Sequence, residues 1–390
     1  MRGSAAGTVA VAAVLLSAAG CLRAPDVKDI GVSAAPAVVR AAYSVDWWTK
    51  LVPAKALFEP GSQFLEVNPR ELATPALDPD SGRLIVGTRD GILRSVGEGG
   101  QVAWAFTARG PFEAGATIQD GVVYAACADG TLSALNAKDG TLQWQYDAKE
   151  ELATQPVLAG DKVLVAAQSD VVLAVDAKTG KWLWQYRRDT PSGFTIRGAS
   201  RPTVHKDVAF VGFSDGDLVA LNVEDGSVKW ERELSKGGSY VDVDTSPLLD
   251  GSGQLYAASY KDGLYALEAE TGAVKWQAPE GGLAHLSATG DLIVGAGDQE
   301  VVAFDRLSGQ KLWTLAVKDT DARRAAVARG YLLVPVNRAL LFVNPVNGHT
   351  EITWDPGDGV SATPLVKGQH MYVLSNLGYL YAFRFSRSSG

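Results

Sequence analysis

Apolar residues in this chain come in short alternating runs separated by turn residues. In Thr131 to Leu135, for example, Leu132 and Ala134 point one way and Thr131 and Ser133 the other, which is the two-faced pattern of a strand. The runs recur in a fixed order. "DGTLSALNAKDGTLQWQY" from Asp129, "DVVLAVDAKTGKWLWQY" from Asp170, "DGDLVALNVEDGSVKWER" from Asp215 and "DGLYALEAETGAVKWQA" from Asp262 each read as an acidic turn, an alternating strand, a turn ending in Gly, and a strand carrying Trp. Weaker copies begin at Asp90, Asp298 and Asn337.

The tryptophans mark the period. Trp104, Trp144, Trp184, Trp230, Trp276, Trp313 and Trp354 follow one another at intervals of 37 to 46 residues, the length of a four-stranded propeller blade. Asp-Gly allows a tight hairpin because Gly takes a positive φ and Asp bonds within the turn. The Trp of the outer strand is placed to pack on the neighbouring blade. A single blade cannot bury both faces, so blades stack radially into a ring.

An eighth copy, Val360 to Ser386, ends without a Trp strand, while "YSVDWWTKL", Tyr43 to Leu51, is a Trp strand without a blade. Pairing them predicts an all-β, eight-bladed propeller of four-stranded antiparallel blades over residues 43–386, closed by its own terminal strands, with a tail at 387–390.

Within this period the connections between blades vary. Trp144 to Pro156 is 12 residues, whereas Trp184 to Pro202 is 18 and Trp230 to Pro247 is 17. Two successive connections, "QYRRDTPSGFTIRGASR" and "ERELSKGGSYVDVDTS", are therefore extended and expected side by side on one face. Long loops on a rigid scaffold are where binding resides. Phe194, Ile196 and Arg197 in the first, and Tyr240, Asp242 and Asp244 in the second, combine apolar anchors with opposite charges, as protein contacts do. The competing reading gives the acids a structural task, bonding to backbone amides or holding Arg197.

Composition narrows the function classes. The net charge is −8 and the pI near 5.2, with no basic block, so a general nucleic-acid binder is excluded. Residues 1–20 carry Arg2, an apolar run and small residues before Cys21. They read as a lipoprotein signal peptide, with Cys21 as the lipidation site and 21–42 as a tether; a plain secretory signal is the alternative. Cys127 then has no partner and reads as a small buried hydrophobe.

Enzyme motifs are missing. No GxSxG or GxxxxGK[ST] occurs. His205, His285, His349 and His370 are far apart and read as surface or turn residues. Asp242 and Asp244 begin like a calcium loop, but Thr245, Ser246 and Pro247 stand where a ligand and the turn Gly belong. No metal, cofactor or catalytic residue is assigned.

The "TG" and Trp pattern resembles PQQ-type propeller repeats, and "TIRGASRP" followed by "YVDVDTSP" is similar to the corresponding segments of the BamB family, lipoprotein subunits of the bacterial β-barrel assembly machinery. The resemblance covers nearly the whole mature chain. It implies a non-enzymatic scaffold, lipid-anchored in the outer membrane and facing the periplasm. Such a scaffold binds the periplasmic domains of BamA alongside other assembly subunits and aids folding of outer-membrane barrels, with unfolded clients as a further possible partner. It also implies that the segments holding Phe194, Ile196 and Arg197, and Asp242 and Asp244, form the BamA contact. Phe194 and Ile196 depart from the family's usual aliphatic residue and Leu but keep an apolar anchor. Two alternatives share the repeat: quinone-dependent dehydrogenases, which are longer and carry a vicinal Cys pair that this chain lacks, and a propeller that binds a small ligand or peptide as a sensor.

Overall fold

Each predicted repeat folds into one antiparallel sheet, and eight such sheets form a β-propeller in the computed structural model, which describes residues 43–53, 70–189 and 199–385, side chains 318–320 excepted. The second blade shows the plan: Thr117–Gln119, Val122–Ala126, Thr131–Asn136 and Leu142–Asp147, each paired with the next. Its turns use the expected chemistry. Asp129 accepts from the Thr131 amide at 2.9 Å and hydroxyl at 2.6 Å, closing the Asp-Gly turn on itself. The sixth blade differs in one detail: Leu292–Asp305 runs as one continuous strand, its first half pairing with Leu283–Thr289 and its second with Lys311–Asp321.

The apolar core is divided among the blade boundaries. Between the first and second blades, Ile85, Leu93 and Trp104 pack against Val123, Cys127 and Leu135, and seven further clusters occupy the other boundaries among the described residues. Cys127 is buried in the first of these, and burial pushes its thiol up to about 11. That removes the thiolate a nucleophile would need.

The outer Trp of one blade is seated on the next. Trp184 donates to Val223 O at 3.0 Å, and its ring lies on Gly226, where an added Cβ would stand 2.6 Å from a ring carbon. Gly226 also has φ +74°, so the turn needs glycine twice over. The same seat recurs for Trp104 on Gly140, Trp144 on Gly180, Trp230 on Gly272, Trp276 on Gly309 and Trp313 on Gly348.

Ring closure follows the predicted pairing. Tyr43–Lys50 is the outer strand of the last blade, antiparallel to Tyr379–Phe385. Its Trp47 lies near Gly100 of the first blade, so the closing strand supplies the inter-blade seat its blade would otherwise lack. Because the last blade's outer hairpin is split between the termini, Trp354 has no turn glycine to rest on among the described residues. It packs edge-on against Tyr381 and Phe383 instead, ring centres 4.9 Å away.

Two readings of the sequence need correction. Asp170, taken above as the acid of a repeat turn, occupies the position of Gly130 in the preceding blade and itself has φ +57°. His285, expected at the surface or in a turn, lies in the inner strand of the sixth blade. Its enclosure, with the nearby charges of Arg323 and Arg324, pushes the imidazole down to about 3.

Candidate functional site

The fourth blade ends at Glu233, and the connection leaving it reaches the fifth at Leu248. Its first half turns on itself through Gly237 and Gly238, both at positive φ. Lys261 caps that turn, its ammonium donating to Lys236 O at 3.1 Å and Gly237 O at 2.8 Å. Tyr240 follows at φ +62°, a left-handed conformation uncommon for a bulky side chain. Tyr240 is 47% exposed, and its ring rests against Tyr260, whose hydroxyl donates to Asp298 at 2.7 Å.

From Tyr240 onward the chain dives inward. Val241, Asp242 and Val243 are buried, and the backbone is pinned on both sides: Tyr260 N donates to Asp242 O at 2.9 Å, and Val243 N to Phe213 O in the fourth blade at 3.0 Å. The fit against that blade is close. A Cβ on Gly212 would come within 2.0 Å of Val243 O, so only glycine lets the connection lie this deep. Thr245 then anchors the fifth blade, its hydroxyl donating to Ala258 O at 3.1 Å and accepting from Ala258 N at 2.9 Å.

Asp242 is therefore an interior carboxylate, whereas Asp244 keeps partial exposure. Asp244 shares a cleft at the boundary of the third and fourth blades with Asp170, Ala199, Ser200 and Phe213. Burial, followed by the charges of Asp242 and Asp170, pushes its carboxyl up to about 8, so at neutral pH it is largely protonated and can donate a hydrogen bond. Asp170 bridges to the next blade, accepting from Ser214 N at 3.0 Å and from its hydroxyl. The sequence grouped Asp242 with Asp244; it missed Asp170, whose only local signal is an acid standing where the repeat has Gly.

A second unforeseen feature guards the other extended connection. Arg188 forms ion pairs with Asp215 and Asp217 and, at 3.1 Å, with Glu231. Its guanidinium lies 5.9 Å from the centre of the Phe213 ring. This hub clamps the start of the connection to the fourth blade. Phe194, Ile196 and Arg197 lie outside the described residues, as does Cys21.

The fold and these two connections define a PQQ-like eight-bladed propeller with a structured inter-blade segment on one face. A family model described as outer membrane protein assembly factor BamB matches residues 89–299 and 297–387, and the chain belongs to that family. An assembly factor BamB from Yersinia pestis is 26% identical over 339 residues, covering 83% of this chain and 74% of the relative. One from Shewanella oneidensis is 29% identical, covering 76% and 68%. For one from Xanthomonas campestris the identity is 30%, over half of each chain. Among solved structures, BamB from Moraxella catarrhalis superposes with a TM-score of 0.75 at 23% identity, covering 88% of this chain and all of the other. A quinohemoprotein alcohol dehydrogenase from Pseudomonas putida gives 0.70 at 12% identity, covering 90% and 77%. Those two likenesses speak to the fold alone.

Proposed function

We propose that this protein is a non-enzymatic scaffold of the outer-membrane barrel assembly machinery, and that the face carrying the two extended connections docks on the periplasmic domains of BamA. Family membership supports the assembly role. The observation that carries the docking surface is Tyr240: a large ring held in the left-handed region and half exposed, on a loop whose base is locked by buried Asp242 and Val243. Aromatic anchors on pre-organised backbone are typical binding hot spots.

In this reading Tyr240, with Phe194 and Ile196, meets the partner, while Asp242 and Asp244 act from beneath by shaping the loop and orienting Arg197. Lipid on Cys21 holds the propeller at the outer membrane on its periplasmic side. Capture of the BamA periplasmic domains by purified protein tests the surface. Tyr240→Ala and Arg197→Ala are each expected to weaken binding by about thirty-fold, the equivalent of about 2 kcal/mol. Undiminished capture by both folded variants would remove this face from the interface.

A further inference from the structure

The inner strands of the blades begin on one ring around the central axis. Its register is fixed by inter-blade hydrogen bonds. Thr117 Oγ1 donates to Pro156 O at 2.5 Å, Thr203 Oγ1 to Pro247 O at 2.5 Å, and Ser287 Oγ to Ala325 O at 2.8 Å, each reaching the equivalent place in the next blade. One residue earlier in the repeat, in six of the eight blades, stand Gln155, Arg201, Ser246, His285, Arg324 and Thr363. The backbone ties these neighbours together too: Arg201 N donates to Ser246 Oγ at 3.3 Å, and Thr363 Oγ1 to Arg324 O at 3.1 Å. None of the six is acidic, and two are guanidiniums.

Arg201 belongs to the fourth blade and Arg324 to the seventh, so their charges can meet only across the axis. They do: burial and the charge of Arg324 together bring Arg201 down to about 10. Burial likewise lowers Arg324. Among the described residues, no side-chain hydrogen bond or ion pair holds Arg201, His285 or Arg324, and Nε of Arg201 and of neighbouring Arg323 is buried without an acceptor. Buried donors left unmade and like charges brought together both cost stability. The arrangement is completed by a negative ligand with several oxygens, to which a guanidinium fork bonds in pairs.

We propose that the mouth of the central channel binds a small multivalent oxyanion, a phosphate or a di- or tricarboxylate, gripped by Arg201 and Arg324 from blades three apart in the ring, with His285 on the rim. The ring lies at strand starts, so this mouth opens on the face that carries the between-blade connections. The proposal stands independently of the docking reading.

Calorimetric titration of the intact folded protein with phosphate, pyrophosphate and citrate, each at millimolar concentration or below and at constant ionic strength in chloride, tests it. Saturable binding of at least one is expected, with a Tm that rises with ligand concentration as mass action requires. Arg201→Gln and Arg324→Gln should each weaken that binding at least tenfold, while the ligand-free variants melt no lower than the parent because a repelling charge is gone. Preference for pyrophosphate assigns a phosphate ligand, and preference for citrate a carboxylate. Absence of saturable binding by all three in the unmutated protein would overturn the proposal. So would equal Tm gains in parent and variants, since these ions also stabilise proteins generally by exclusion from the surface.

Discussion

In the connection that enters the third blade, Glu151, Leu152, Ala153 and Thr154 occupy the same four repeat positions as Asp242, Val243, Asp244 and Thr245 in the one that enters the fifth. Much of the backbone bonding is shared. Gln168 N donates to Glu151 O at 3.1 Å as Tyr260 N does to Asp242 O. Thr154 exchanges hydrogen bonds with Ala166 as Thr245 does with Ala258. Leu152 and Val243 are both fully buried. Yet Glu151 is exposed and Asp242 is not. The difference is that Gly212 replaces the Ala126 of the shorter case, letting the longer connection settle closer to the preceding blade. One scaffold position is thus a solvated surface acid in one blade and an interior acid in another, decided by the length and seating of the chain before it.

The comparison breaks most sharply at Gly212. Gly212→Ala forces a methyl into Val243 O and is expected to cost on the order of 4 kcal/mol. The converse Ala126→Gly should cost only about 1 kcal/mol. Denaturant unfolding of the two variants measures both, and equal costs would mean that the fifth-blade connection is not seated as described.

Asp244 gives the next effect. Its folded carboxyl titrates near 8 against about 3.9 in an unfolded chain, so the folded state holds the proton more tightly between those values. Its contribution to stability is full below pH 4 and lost as pH rises through about 8. Asp244→Asn should flatten that slope and raise stability at pH 8 by on the order of 3 kcal/mol. Chemical denaturation repeated at pH 5 and pH 8 would show it. A slope retained in the variant would assign the pH dependence to other groups.

The smallest effect is expected at Tyr240. Glycine accepts its left-handed backbone without strain but adds freedom to the unfolded chain. Tyr240→Gly should therefore stay within about 0.5 kcal/mol of the parent in stability while losing BamA capture. A large loss of stability would make Tyr240 a packing residue of the loop and remove it as an anchor.

The blade count, the strand order, the Trp seats and the closing strand at Tyr43 were legible because each depends on local pattern repeated at a fixed period. The extended connections were legible as departures from it. Arg188, Asp170 and the ring of Arg201, His285 and Arg324 were not. The residues that meet at each of these places are far apart in sequence, so no local spacing links them; Asp170 in particular reads as an ordinary turn acid until it is found in the glycine place.

By itself, the sequence determined that this chain is a closed ring of eight blades, since alternation, turn glycines and outer tryptophans leave no other way to bury both faces of every sheet. Only the tertiary structure decided what the charged residues experience. Asp242 and Asp244 are spaced as a strand-like surface pair, yet Asp242 is interior and Asp244 lines a cleft, because the connection is seated deep against the fourth blade. Arg201 and Arg324 are 123 residues apart, and become one electrostatic feature because the ring brings them to a common axis. Charge is written in the sequence, but its solvation and its neighbours are set by packing.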